Sequence, residues 1–177
     1  LSGYQQSKVV IVRVLPGTYS GKLNTNITVS ASLDISIIGD GQGVTIIDGE
    51  DKSWFLNILA GDSKVKVANM TIANITKNYV DASRYGQIPA ISIEKNAVVE
   101  IDGVEFRRCH GTEGGAIYTE GALTIKNSYF FNNGDSNYGG AIKNYGTLNI
   151  YNTKFVANHA KYFSTISNDG VLFLYNS

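Results

Sequence analysis

The sequence predicts an all-β chain that folds as a single parallel β-helix, and three observations predict it. First, the second half repeats every 24 or 25 residues: GGAIYTEG at 114–121 returns as GGAIKNYG at 139–146. Second, apolar and polar residues alternate over short stretches within each copy, as in strands with one buried face. Third, the 177 residues include 19 Gly and 11 Tyr but only 2 Pro, and no stretch keeps a helical period. Short strands and tight turns in a repeat of this length indicate the stacked turns of a solenoid.

The strands follow one another from the first residues onward, with turn clusters between them. Residues 1–60 contain the β-branched runs VVIVRV, NITV, LDISIIG, VTIID and WFLNI, separated by clusters such as PGTYSG and GDGQG. We predict irregular turns over 1–60 and regular turns over 61–177, all in one domain. An overlong stretch near 76–89 predicts a loop inserted into the regular part.

The two clearest copies predict three short strands per turn and a set of side-chain columns. The matched positions are Ile117, Leu123, Ile125, Asn127, Phe130 and Asn133, and then Ile142, Leu148, Ile150, Asn152, Phe155 and Asn158. We expect the apolar columns to form the core and the Asn columns to form hydrogen-bond ladders at the bends. The Gly pair fits a corner that needs positive φ or close backbone approach. Counting back 24 residues places Ile93 in the column of Ile117.

These motifs carry a resemblance to known families. GGAI followed by FFNN at 130–133, and by FVAN at 155–158, resembles the GGAI and FxxN repeats of chlamydial polymorphic outer-membrane proteins. Residues 54–177 are similar to adhesin-like β-helix proteins on the surfaces of methanogenic archaea. VVIVRVLPGTYSGKLN and ISIIGDGQGVTIIDG look like the first coils of the pectin-lyase-like superfamily. The resemblance implies a right-handed helix, as parallel connections generally are, and an extracellular, cell-surface location.

Charge and hydropathy bear on several classes of partner. The 15 basic and 15 acidic residues balance to a formal net charge of +0, without a block of either sign. We therefore expect no nucleic-acid partner. No apolar run approaches the roughly 20 residues of a membrane span, so we expect no membrane insertion by this segment.

A polysaccharide-acting enzyme, a pectin lyase or hydrolase or a degenerate relative, is one hypothesis. Glycoside hydrolysis uses two carboxylates about 5 to 9.5 Å apart, and no predicted column of the second half stacks two acids. The catalytic motifs of pectinesterases are missing around Trp54, the one Trp. The residues to suspect are Asp48, Asp51, Arg107 and Arg108, but no catalytic residue is predicted.

No cofactor and no metal site are predicted. Asp48, Glu50 and Asp51 match no complete calcium loop. His110 and His159 are expected two turns apart in one column with Gly134 between them, too far apart to share a metal ion directly. Cys109 occupies an Asn position of the ladder and is expected to be inert packing.

A binding surface is the favoured hypothesis. Tyr79, Arg84 and Tyr85 lie in the inserted loop, where a ligand-binding segment of a solenoid is commonly found. A second series of aromatic residues, Tyr138, Tyr145, Tyr151 and Tyr175, is expected on the outer surface, with Tyr151 stacked on Tyr175. The Asn-x-Thr sequons at Asn26, Asn69 and Asn74 are possible glycosylation sites.

The sequence thus predicts a non-enzymatic, adhesin-like module that binds a glycan or a protein from a stiff rod. The last copy stops at VLFLYNS, which led us to expect further turns or domains in a longer protein. A structural spacer between other domains is the remaining alternative.

Overall fold

The computed structural model describes residues 9–59, 61–76, 88–134, 137–162 and 165–177. These residues form an 11-stranded and a 6-stranded sheet and contain no helix. The strands pair in parallel throughout. The predicted all-β parallel β-helix is therefore confirmed. The inserted-loop residues Tyr79, Arg84 and Tyr85 lie outside the described residues.

The strands stack on three faces, which the chain visits in the same order in each turn. Face 1 consists of β1 (Val9–Arg13), β4 (Asp34–Ile38), the first halves of β7 (Lys64–Ile75) and β9 (Val98–Cys109), β11 (Ala122–Lys126), β14 (Thr147–Tyr151) and β17 (Val171–Tyr175). Face 2 consists of β2 (Gly17–Tyr19), β5 (Thr45–Asp48), the second halves of β7 and β9, β12 (Tyr129–Phe131) and β15 (Lys154–Val156). Face 3 consists of β3 (Ile27–Val29), β6 (Leu56–Ile58), β8 (Ile91–Ile93), β10 (Ile117–Thr119), β13 (Ile142–Asn144) and β16 (Ile166–Asn168).

The core is a set of columns that run along the solenoid axis. Leu123 pairs with Leu148, which in turn pairs with Leu172. The rings of Phe106, Phe130 and Phe155 stack with centroids 4.7 and 4.8 Å apart, close to the spacing of neighbouring strands. Phe130 is fully buried, and burial of such a side chain stabilises the fold by about 1.5–3 kcal/mol.

The first turns join the same three faces as the later ones but differ in length. Lys66 and Glu100 contact each other across 34 residues, whereas Cys109 and Asn133 do so across 24. The predicted position of Ile93 was wrong, because Ile117 pairs with Ile91 while Ile93 pairs with Thr119. The corner between β8 and β9 holds two residues more than the corner between β10 and β11, and it includes Asn96 at positive φ. Two extra residues preserve the alternation, so Ile93 still lies in the core.

The four Asn positions of the repeat have two different functions in the structure. Asn127 and Asn152 lie at the corner between faces 1 and 2 with φ of 49° and 47°, where Asn69 and Gly103 lie in earlier turns with φ of 53° and 64°. Asn tolerates this left-handed conformation better than most residues.

The other two Asn positions, Asn133 and Asn158, form a hydrogen-bond ladder in the interior. The Asn133 carboxamide accepts from the Cys109 N–H at 3.0 Å and donates to Phe106 O at 3.0 Å and to Asn158 Oδ1 at 2.9 Å. The Asn158 amide donates to Phe130 O at 2.9 Å, so the ladder satisfies buried backbone groups of successive turns.

Candidate functional site

The outer side of face 3 carries a column of polar side chains in its last turns. Tyr118 of β10 pairs with Lys143 of β13, which pairs with Ser167 of β16. Their neighbours in the strands point into the core, so alternation directs these three outward. Nevertheless, the side chain of Lys143 is only 5% exposed. An outward lysine is buried here because tyrosine rings enclose it.

The Lys143 ammonium has four identified contacts. It donates to Ser167 Oγ at 3.0 Å and forms an ion pair with Asp169. It also lies 4.5 Å from the ring centroid of Tyr145 and 5.3 Å from that of Tyr138, within the range of cation–π attraction. Burial by itself would lower the pKa of Lys143, but the hydrogen bond to Asp169 and the field of Tyr145 hold that pKa above its ordinary value.

Further tyrosines extend the aromatic surface on either side of Lys143. The Tyr118 and Tyr145 rings are tilted against each other with centroids 5.7 Å apart, and those of Tyr138 and Tyr162 are 6.3 Å apart. The Tyr118 hydroxyl donates to Glu120 Oε1 at 2.6 Å. Burial, followed by this bond to the Glu120 carboxylate, raises the pKa of Tyr118.

These side chains form a concave site of about 470 Å³, here called the face 3 groove. Its lining consists of Glu113, Tyr138, Lys143, Tyr145, Ile166, Ser167, Asn168 and Asp169. Larger cavities of about 980 and 510 Å³ lie at the two ends of the described solenoid, where core side chains of the end turns line them. The face 3 groove differs from them because aromatic and charged groups of several turns converge in it. Such convergence is characteristic of ligand sites.

The predicted aromatic series belongs to two different surfaces. Tyr138 and Tyr145 line the groove, whereas Tyr151 and Tyr175 lie on face 1 with stacked rings 4.7 Å apart and an interplanar angle of 3°. This stacking agrees with the expected column. It also covers one face of each ring, so the pair is a less suitable platform for a ligand than the groove tyrosines.

Sequence reasoning missed Tyr118, Lys143 and Asp169. A signal was present, because the aligned frames GGAIYTEG and GGAIKNYG place Tyr118 beside Lys143 in one outward column. The burial of Lys143 could not be predicted, because it depends on side chains from the corners before and after β13.

The residues suspected of catalysis are partly brought together at the corner between faces 2 and 3. Asn74 Nδ2 donates to Asp48 Oδ1 at 3.0 Å, while Arg108 Nε donates to Asn74 Oδ1 at 2.7 Å. Asp48 Oδ1 also accepts the Glu50 N–H at 2.9 Å, as in an Asx turn. Arg107 shares a face 2 column with Asp48, two turns away. Asp48 therefore holds its own turn and binds Asn74, and no pair of facing carboxylates is formed by the suspected residues.

The other candidates have structural surroundings. Among the described residues, no group of three or more His, Cys, Asp or Glu could hold a metal ion. His110 Nδ1 lies 3.3 Å from Gly134 O, and the His159 ring packs where a Cβ on Gly134 would be, as the predicted column requires. Cys109 is completely buried, and burial raises the pKa of its thiol.

The three sequons differ in accessibility. Asn69 is exposed, whereas Asn26 and Asn74 are half-buried. The Asn74 amide that a glycan would modify already donates to Asp48. Glycosylation remains a prediction at all three sites, and Asn69 has the most accessible side chain.

No helix among the described residues is long and apolar enough to cross a membrane. Family models, curated proteins and solved structures give no match to this chain. The resemblances to adhesin-like and pectin-lyase-like proteins therefore stay predictions, and the fold assignment rests on the strand pairing.

Proposed function

We propose that this protein is a non-enzymatic binding module that takes a glycan in the face 3 groove. The observation that carries the proposal is the set of tyrosine rings around one ordered ammonium–carboxylate pair. Tyrosine rings offer apolar faces to the C–H surface of a sugar, and adjacent polar groups exchange hydrogen bonds with its hydroxyls.

The residues around the groove are suited to such binding because they are already ordered. Lys143 is fixed by Ser167 and Asp169, and Tyr145 is held between Lys143 and Tyr118. A site that needs little rearrangement loses less conformational entropy when a ligand binds. Parallel strands of the solenoid support the groove from below, so its geometry rests on rigid elements.

The setting we propose is a cell surface, where the module would act as an adhesin-like part of a longer protein. The support for this setting is the resemblance of the GGAI and FxxN repeats to surface β-helix proteins. A stiff rod that carries a lateral groove can present that groove to glycans of another cell or of the envelope.

The test is a glycan-array screen of the folded protein, with polyuronate cleavage assayed in the same samples. We expect binding without turnover. Tyr145→Ala should weaken the binding about tenfold or more, because it removes a ring face and disturbs Lys143.

The matched control is Tyr129→Ala. Tyr129 is a half-buried tyrosine of face 2 whose ring contacts Phe131 at 5.9 Å, and its removal should leave glycan binding unchanged. An equal loss of binding in both variants, or polyuronate turnover by the wild type, would contradict the proposal.

A further inference from the structure

The charges of the groove limit the class of glycan that it can accept. Two carboxylates, Glu113 and Asp169, and one ammonium, Lys143, belong to its lining. A third carboxylate, Glu120, lies next to this lining through its hydrogen bond with Tyr118. The acids therefore outnumber the bases where a ligand would lie.

The one ammonium of the lining is not available to a ligand anion. Lys143 donates to Ser167 and Asp169, is covered by Tyr145, and has a side chain that is 5% exposed. Its partner Asp169 is 55% exposed, so the carboxylate is the solvent-facing member of the pair. A carboxylate can only accept hydrogen bonds, which suits sugar hydroxyls and repels anionic groups.

Two further lysines lie near the rim, where water screens them. Lys95 approaches Glu120 at 3.7 Å and is 79% exposed, and the Lys161 ammonium lies 4.8 Å from the centroid of the Tyr162 ring. Exposed ammonium groups contribute little to the binding of an anion. They do not reverse the negative character of the lining.

On the premise that the groove binds a glycan as proposed above, we infer that it takes neutral glycans and rejects polyuronates. The apolar ring faces are supplied by Tyr138 and Tyr145, and acceptors for the sugar hydroxyls are supplied by Asp169 and Glu113. A uronate would place its carboxylate against these acids without an available cation, which gives specificity by repulsion.

The experiment is calorimetric titration of the whole chain with neutral hexasaccharides (cellohexaose, mannohexaose and chitohexaose) and with hexagalacturonate. We expect at least one neutral hexasaccharide to bind, and hexagalacturonate to bind about tenfold more weakly or worse. This difference should narrow at high salt and in Glu113→Gln, which removes one negative charge of the lining and leaves the Lys143 pair intact. Glu100→Gln makes the same charge change on face 1 and should leave the difference as it is.

The outcomes separate this inference from the proposed function. If hexagalacturonate binds at least as tightly as the neutral hexasaccharides, and Tyr145→Ala abolishes that binding, the inference is overturned while glycan binding in the groove stands. If no hexasaccharide of either kind binds, and the array also shows no binding, the proposed function itself is overturned.

Discussion

At the scale of single residues, Gly114 shows why the repeated frame begins with glycine. Its φ is +71°, and a Cβ there would lie 2.0 Å from Ile117 O and 2.7 Å from the Lys143 N. The backbone of the next turn therefore occupies the space that any side chain would need. Gly43 has nearly the same φ, +73°, but nothing lies within 4 Å of the position of its Cβ.

This pair separates the two costs of replacing a glycine. Gly43→Ala should lower the free energy of unfolding by only about 1–2 kcal/mol, the cost of the left-handed conformation. Gly114→Ala should lower it by more than about 4 kcal/mol, since the clash is with backbone that cannot move aside. Urea unfolding followed by circular dichroism measures both. Equal losses in the two variants would show that close approach at Gly114 has no energetic weight.

At the scale of elements, Glu100 connects three strands of face 1. Its carboxylate accepts from Lys66 of β7 at 2.7 Å and from Lys126 of β11 at 2.9 Å. The hydrogen bond from Lys66, followed by that from Lys126, lowers the pKa of Glu100 below its ordinary 4.5 despite partial burial. The charge ladder thus joins successive turns on a solvent-facing surface.

The lowered pKa gives a pH dependence of defined sign. A carboxyl group whose pKa is lower in the folded state stabilises that state above its unfolded pKa, and the stabilisation disappears as the pH falls through the folded pKa. Glu100→Gln should therefore cost less than about 1 kcal/mol at neutral pH, because the pair is partly exposed. The cost should fall toward zero at about pH 2.

Urea unfolding of the wild type and Glu100→Gln across this range, at low and high salt, measures the effect. The expected difference is largest at neutral pH and low salt. A cost that stays the same at acid pH would mean that Glu100 acts through packing of its side chain rather than through its charge.

At the scale of the whole molecule, the repeat predicted the fold, since identical spacing puts Ile117, Ile142 and Ile166 in one column. It failed at Ile93, because a corner can gain two residues without changing which residues face the core. The site was predicted only in part. Tyr138 and Tyr145 stood out as aromatic residues, but Lys143 reads as an ordinary outward lysine until the corners that enclose it are folded. Burial that arises from several turns leaves no local pattern in the sequence.

The stacked architecture also predicts how the 177-residue chain opens. Each turn contacts its neighbours only, so the stability of a turn depends on how many of its sides are covered. β11 is paired on both sides, with β9 and with β14, and its core residues Leu123 and Ile125 are fully buried. β17 pairs with β14, and Leu174, in the column of Ile125, is 53% exposed.

Hydrogen exchange of this chain should therefore be graded along the solenoid axis. The amides of β11 should exchange about tenfold or more slowly than those of β17, because opening β11 requires two ladders to break and opening β17 requires one. Mass-spectrometric exchange of peptides from each strand of face 1 measures the gradient. Equal protection in β11 and β17 would instead mean that the described turns open as one cooperative unit, with coupling between neighbours stronger than the stability of any single turn.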